Sequence, residues 1–150
     1  MTQEQKDLLL KDLCARLPYG VKFMIDETYL TEDMIKSGYD KIQELYGITY
    51  EGNVELLNMD YHMPVESIKP YLFPLSSMTE EQKNECFKGT PLEIDKYGDI
   101  AVKDNLYGGS QYTDLEIYLE VINWLLKNHF DIYGLIPMGL AIDATGKNIY

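Results

Sequence analysis

The sequence predicts an α+β fold in one compact domain, residues 1–150, with short, mostly antiparallel strands packed against an N-terminal helix and a long central C-terminal helix. Three observations support this prediction. Helix-capping patterns precede apolar, helix-periodic segments near both ends of the chain. Between these segments, apolar residues alternate with polar ones, as in half-buried strands. The 150 residues suffice for one self-sufficient core, and no repeat or linker divides them.

Three helix starts carry a capping box, in which a threonine and a Gln or Glu three residues later bond each other's backbone N–H groups. The pairs are Thr2/Gln5, Thr79/Gln82 and Thr113/Glu116. The first pair predicts a helix to about residue 17, where Pro18 and Gly20 end it. Its apolar side holds Leu9, Leu10, Leu13, Cys14 and Leu17. We therefore expect Cys14 to be a small buried hydrophobe.

The third capping box predicts the most buried helix of the fold, residues 114–129. Apolar residues cover most of its circumference, which is typical of a helix that other elements enclose. We therefore expect Leu119, Ile122 and Leu126 to be almost fully buried and this helix to lie at the centre of the fold.

The segments between the helices predict strands. Residues 21–26 alternate as a half-buried strand does, and a turn would lead into a partner strand at residues 29–30. Further strands are expected at residues 54–59 and in a hairpin of residues 92–95 and 100–103. Residues 71–73 lie between two prolines, which predicts an edge strand or an extended wall. Residues 34–46 fit a helix but contain Ser37-Gly38, so their structure stays open.

The net charge of −12 is spread evenly along the chain. Residues 1–75 carry 7 basic and 13 acidic side chains, and residues 76–150 carry 6 and 12. Binding to nucleic acid requires clustered Lys and Arg, which release counterions from the phosphates. This pattern argues against direct binding to nucleic acid or to an anionic membrane.

The cysteines and the N-terminus predict a location in the cytoplasm, the cytosol of a bacterial host. Cys14 and Cys86 lack metal-ligand spacing, which predicts free thiols in a reducing compartment. The first residues alternate charge with leucine and lack the basic and apolar regions of a signal peptide. No apolar run approaches the roughly 20 residues that a membrane-spanning helix needs.

The two histidines are the first candidates for metal chemistry. His62 follows Asp60 by two positions, so both side chains could project from one strand face. His129 ends the predicted C-terminal helix, where a cation interacts favourably with the helix dipole. Because this pattern is thin, we predict a structural role for His129 and no metal site.

Three other candidates for chemistry are weak. Cys86 and a histidine would form a nucleophile and base, but the carboxylates near Cys86 disfavour a reactive thiolate. Residues 108–110 lack the lysine of a phosphate-binding loop. The acidic residues Asp95, Asp99 and Asp104 lack the spacing of a calcium loop. The sequence therefore predicts no catalytic residue, no cofactor and no metal.

The chain contains thirteen tyrosines, a large number for its length, and six of them lie in polar surroundings in the sequence. Exposed tyrosines are typical of protein interfaces because they offer a large, stiff surface with a polar tip. A possible interaction face therefore consists of Tyr39, Tyr46, Tyr50, Tyr61, Tyr107 and Tyr112. The alternative is that these tyrosines are simply half-buried on a small protein.

Three segments combine aromatic residues, prolines and glycines in an unusual order: DLLLKDLCARLPYGV, KPYLFPLSSMTEEQ and WLLKNHFDIYGLIPMGLAIDATGKNIY. They resemble a family of small uncharacterised proteins found in gut Bacteroidales genomes and in the phages and prophages of these bacteria. The resemblance implies a phage-associated origin and no activity or site residues. We expect residues 69–82 and 124–139 to pack together as scaffold, since such residues suit fixed geometry.

The sequence favours a small accessory protein of phage or prophage origin that acts by binding another protein. One alternative is a small-molecule-binding protein or enzyme with a pocket beside the C-terminal helix. Another is an acidic anti-defence protein that mimics nucleic acid, against which the even scatter of carboxylates argues.

Overall fold

The structure is a computed structural model that describes residues 1–38, 40–56, 62–103 and 115–150. These ranges contain four α-helices, four short 3-10 helices and eight strands. The α-helices are α1 (Gln3–Arg16), α2 (Glu32–Lys36), α3 (Glu80–Phe87) and α4 (Leu115–Lys127). The strands are β1 (Lys22–Ile25), β2 (Ile42–Ile48), β3 (Asn53–Leu56), β4 (His62–Pro64), β5 (Ile68–Leu72), β6 (Leu92–Ile94), β7 (Ile100–Val102) and β8 (Ile142–Asp143).

Six strands form one sheet in the order β4-β3-β2-β1-β5-β8, and β6 pairs with β7 in a separate hairpin. Neighbouring strands are antiparallel, except that β5 and β8 are parallel. The predicted α+β class is therefore confirmed. The predicted hairpin is also confirmed, and the Asp95 carboxylate closes it by accepting backbone hydrogen bonds from Tyr97 and Asp99.

Helix α1 begins and ends where the sequence predicts. The capping box of Thr2 and Gln5 is present, and Gly20 follows the helix with a φ of 66°. The buried side of α1 is formed by Leu9, Asp12, Leu13 and Arg16. The expectation of a buried Cys14 is wrong, since Cys14 is exposed. The buried side of α1 differs from the predicted apolar side because the charged residues Asp12 and Arg16 are buried beside the two leucines, whereas Cys14 faces solvent.

The segments after β1 correct one strand prediction and show the structure of the described residues in the segment that the sequence left open. The expected strand at residues 29–30 is a 3-10 turn, Glu27–Tyr29, because the Asp26 carboxylate accepts hydrogen bonds from the backbone and hydroxyl of Thr28. The open segment 34–46 divides at Gly38, which has a φ of 78°. The short helix α2 precedes this glycine and β2 follows it.

Strand β5 is an internal strand of the sheet, whereas the prolines predicted an edge strand or an extended wall segment. It lies between β1 and β8, and Pro70 stands opposite Phe23 of β1. Strand β8 pairs only with Tyr71 and Leu72 of β5. Among the described residues, no strand pairs with Pro70 on the β8 side of β5, so the missing N–H of Pro70 leaves no ladder hydrogen bond unmade there.

The buried side chains form two clusters. In the first, Leu9 and Leu13 of α1 pack with sheet residues such as Phe23 and Ile68. In the second, Val121 and Leu125 of α4 pack with residues of α3, β6 and the chain after α4. Helix α1 therefore covers the sheet, and α4 lies beside that cluster instead of at its centre.

The segments 69–82 and 124–139 contact each other, as predicted. The Phe73 N–H donates to the His129 carbonyl at 2.9 Å, and the Asp131 N–H donates to the Phe73 carbonyl at 2.8 Å. The rings of Phe73 and Phe130 lie 6.0 Å apart, centroid to centroid. These contacts join the end of β5 to the chain that leaves α4.

Candidate functional site

Two of the six tyrosines of the predicted interaction face lie in the described part of the chain. Tyr46, on β2, is 62% exposed, and Tyr50, in the turn after it, is 97% exposed. The Tyr50 hydroxyl donates to the Glu51 carboxylate at 2.9 Å. The other four, Tyr39, Tyr61, Tyr107 and Tyr112, lie outside the described residues. The clustering of the six on one face stays a prediction.

The first half of α4 presents an apolar surface. Four residues form one stripe along this helix, because they follow one another at spacings of three or four: Leu115, Leu119, Ile122 and Leu126. The stripe is covered at its C-terminal end, where Leu126 is 5% exposed. It is exposed at its N-terminal end, where Leu115 and Leu119 are 71% and 53% exposed and no described element covers them. We call these four residues the α4 stripe.

The α4 stripe corrects the prediction that this helix is enclosed along its length. Leu126 is buried as expected, but Leu119 is exposed and Ile122 is only half-buried. The buried residues of α4 are Val121, Leu125 and Leu126, all in its second half. The sequence pattern predicts which side of a helix is apolar. It does not predict how much of that side the neighbouring elements bury.

Arg16 joins α1 to the C-terminal end of α4. This arginine is fully buried, and its guanidinium donates to both carboxylate oxygens of Asp12, at 2.7 and 2.8 Å. It also donates to the main-chain carbonyls of Leu126 and Phe130, at 3.2 and 2.7 Å. Carbonyls at a helix end have no partner within the helix, and a cation there complements the helix dipole. Arg16 therefore supplies the last turn of α4 with donors and charge.

The Asp12 carboxylate compensates the buried positive charge of Arg16. Burial raises the pKa of the Asp12 carboxyl above its ordinary value, and the hydrogen bond from Arg16 opposes that shift. Sequence analysis missed this pair, although a signal was present. Asp12 and Arg16 are four residues apart, and they lie beside Leu9 and Leu13 on one side of the helix.

His129 ends α4 with a backbone conformation that glycine usually supplies. Its φ is 60°, in the left-handed region. The N–H of His129 donates to the Leu126 carbonyl at 3.1 Å, and the N–H of Phe130 donates to the Leu125 carbonyl at 2.9 Å. These two bonds form a Schellman motif with His129 at its left-handed position.

The sequence placed the His129 imidazole as a cation at this helix end. In the structure, the cation at this position is the Arg16 guanidinium. Burial first, and the charge of Arg16 second, lower the pKa of His129 from 6.5 to about 4, so the ring is neutral at pH 7. The ring stacks on Tyr150 with the centroids 4.0 Å apart. Within the described residues, its buried Nδ1 atom has no hydrogen-bond partner.

The hydroxyl of Tyr150 fixes this stack. It donates to the Tyr71 carbonyl at 2.7 Å and accepts from the Lys22 N–H at 3.2 Å. Although 43% of the residue is exposed, the hydroxyl is enclosed between these strands. Burial raises the pKa of Tyr150 to about 12.

The pKa of His129 predicts a loss of stability in mild acid. Between pH 6.5 and about 4 the histidine takes up a proton in the unfolded chain and stays neutral in the folded one, so stability falls as the pH falls through this window. The loss is roughly 2–3 kcal/mol by pH 4. Urea denaturation at a series of pH values measures it.

The matched variant for this measurement is His129→Asn, since asparagine tolerates the left-handed conformation and does not titrate. Asp12 changes stability in the opposite direction because its pKa is raised, and it does so in both proteins. The difference between the two pH profiles therefore isolates the histidine. Identical slopes between pH 6.5 and 4 would contradict the prediction.

The two thiols differ in their surroundings. Cys14 and Cys86 are both free, and Cys86 is buried on α3. Burial first, and the Glu85 carboxylate second, raise the pKa of the Cys86 thiol to about 12. The thiolate that nucleophilic catalysis requires is therefore strongly disfavoured at this position.

The histidines lie on different parts of the fold. His62 is on β4, and the backbone of His129 bonds to the chain after β5, four strand spacings away. At about 4.8 Å per spacing, this separates them by roughly 19 Å, too far to share one ion. Across the described ranges, no group of three or more His, Cys, Asp and Glu residues could hold a metal. Asp60, Asp104 and residues 108–110 lie outside those ranges.

Comparison of the chain with models of protein families, with curated proteins and with solved structures gives no match. None of the helices in the described part of the chain is long and apolar enough to cross a membrane.

Proposed function

We propose that this protein is a small accessory protein that acts by binding another protein through the α4 stripe. The observation that carries the proposal is the exposure of Leu115 and Leu119, which continue a buried stripe beyond the elements that cover it. Exposed contiguous apolar surface on a small domain is typical of an interaction site. A phage or prophage origin and a location in the bacterial cytosol belong to the same proposal.

The chemistry of the partner follows from charge. The chain carries a net charge of −12, and the exposed side of α4 next to the stripe carries Glu116 and Glu120. Interfaces combine an apolar centre with a rim of complementary charge. We therefore propose a partner with an apolar contact surface bordered by Lys and Arg. A second copy of this chain fits less well, because two copies of the same high charge repel each other.

The test replaces Leu115 and Leu119 together with serine. Tagged wild type and variant are used to capture proteins from a Bacteroidales lysate, and the captured protein is then purified and its binding measured by calorimetry. We expect the double variant to bind at least about 10-fold more weakly, since buried apolar anchors carry most of the affinity. Binding by wild type should also weaken as salt is raised, because attraction between opposite charges is screened.

The matched control is Ile35→Ser, on α2, because Ile35 is 61% exposed and lies outside the stripe. It should leave both capture and affinity unchanged. Retention of affinity by the double variant would contradict the proposal. So would a dimer of the wild type that the same double substitution dissociates, since a second copy would then cover the stripe.

A further inference from the structure

A cavity of about 390 Å³ opens at the C-terminal end of α4. Its walls come from the chain between β5 and α3, from the residues around the end of α4, and from residues 145–150. Sites for small organic ligands have volumes of this size. No residue of the α4 stripe lines the cavity, so it is distinct from the surface proposed above.

The apolar part of the lining is aromatic. It consists of Phe73, Phe130 and Tyr150. The Phe73 centroid lies 6.0 Å from that of Phe130 and 5.9 Å from that of Tyr150, with the rings tilted by 51° and 48°. Ring faces and edges held at such angles suit contact with another planar ring.

The polar part of the lining favours an anion. Lys127 is the one charged side chain among the described lining residues, and it has no ion-pair partner in the described part of the chain. The neutral polar lining residues include Ser77, Thr79, Gln82 and Thr145. No Asp or Glu side chain of the described residues lines the cavity, although the chain has 25 Asp and Glu residues against 13 Lys and Arg.

His129 forms part of the cavity wall. This residue lines the cavity, is 9% exposed, and has a buried Nδ1 atom without a hydrogen-bond partner within the described residues. A buried polar atom without a partner is destabilising and uncommon in folded proteins. Because this Nδ1 atom is closed to solvent, it lies beneath the cavity wall, and a ligand in the cavity does not reach it.

We propose that this cavity binds a small aromatic carboxylate. The ring of the ligand packs against Phe73 and Tyr150, and its carboxylate lies at the Lys127 ammonium. The lysine then selects the anion over a neutral ring of the same shape, and the aromatic wall selects it over an inorganic anion.

Titrations with sodium benzoate and with its neutral analogue benzamide test this proposal, with backbone amide chemical shifts as the readout. We expect benzoate to shift the amides of Phe73, His129 and Thr145 with a dissociation constant of about 1 mM or below, and benzamide to bind more weakly. Lys127→Met should weaken benzoate binding by about 5–10-fold and leave benzamide binding unchanged, since only the charged ligand loses a partner. Lys36→Met, on α2 and paired with Glu32, is the matched control and should change neither.

Three results would overturn the proposal. They are the absence of saturable benzoate shifts at these amides, equal affinity for benzoate and benzamide, and equal affinity for benzoate and inorganic phosphate. Lys127→Gln provides a second variant of the exposed lysine if Lys127→Met changes the melting temperature. Benzoate affinity in Lys127→Gln equal to that of wild type would also exclude the assigned role of the ammonium.

Discussion

An Asp12→Ala variant is expected to lose about 3–5 kcal/mol of its free energy of unfolding, because it breaks a buried ion pair by removing one partner. Arg16 would stay buried and bonded to the Leu126 and Phe130 carbonyls, without the carboxylate that pairs with it. Since small domains are stable by only about 5–15 kcal/mol, the loss is a large part of the total. Urea denaturation at pH 7, followed by circular dichroism, measures it as a lower midpoint with an unchanged slope.

The control for this prediction is Asp7→Ala on the same helix. Asp7 is exposed, and its carboxylate accepts a hydrogen bond from the Gln3 side chain at 2.7 Å. We expect Asp7→Ala to change stability by less than about 0.5 kcal/mol, as surface substitutions usually do. A loss below about 1 kcal/mol for Asp12→Ala, the size typical of a surface ion pair, would show that water reaches Arg16.

A Leu125→Ala variant is expected to lose about 2–5 kcal/mol of its free energy of unfolding. Leu125 is fully buried in the second hydrophobic cluster, so truncation removes apolar contacts and leaves a cavity that the neighbours fill only in part. The same urea experiment measures this loss. The second cluster, which joins α4 to α3, depends on this residue.

Leu119→Ala is the matched control, because it makes the same chemical change on the same helix. Leu119 is 53% exposed, so we expect a loss below about 1 kcal/mol. Equal losses for the two variants would mean that the first half of α4 is covered in solution. Dependence of the Leu119→Ala loss on protein concentration would then identify a second copy as the cover.

Apart from the contact between segments 69–82 and 124–139, the features that the sequence predicted correctly depend on neighbours in the chain. The capping boxes of α1 and α3 form within four residues, so Thr2 and Thr79 identify both helix starts. Strand β1 is recognisable because Val21, Phe23 and Ile25 recur at every second position, and all three are fully buried. For the capping box of Thr113 and Glu116, Thr113 lies outside the described residues.

The features that the sequence predicted wrongly depend on contacts between distant segments. Pro70 predicted an edge, but whether it lies at one depends on the length of β8, more than 70 residues later. His129 predicted a cation at the end of α4, but Arg16, more than 100 residues earlier, occupies that role and helps to keep the imidazole neutral. No local pattern reports either contact.

The sequence by itself therefore determined the α+β class, the helix starts that could be checked, the hairpin of β6 and β7, and the contact between segments 69–82 and 124–139. Local hydrogen bonds and the period of apolar residues specify the first three, and these are properties of short segments. Only the tertiary structure decided that α1 covers the sheet, that Asp12 and Arg16 are buried together, and that the α4 stripe is half covered. Burial depends on where distant elements end in space, and the order of residues in one segment does not contain that information.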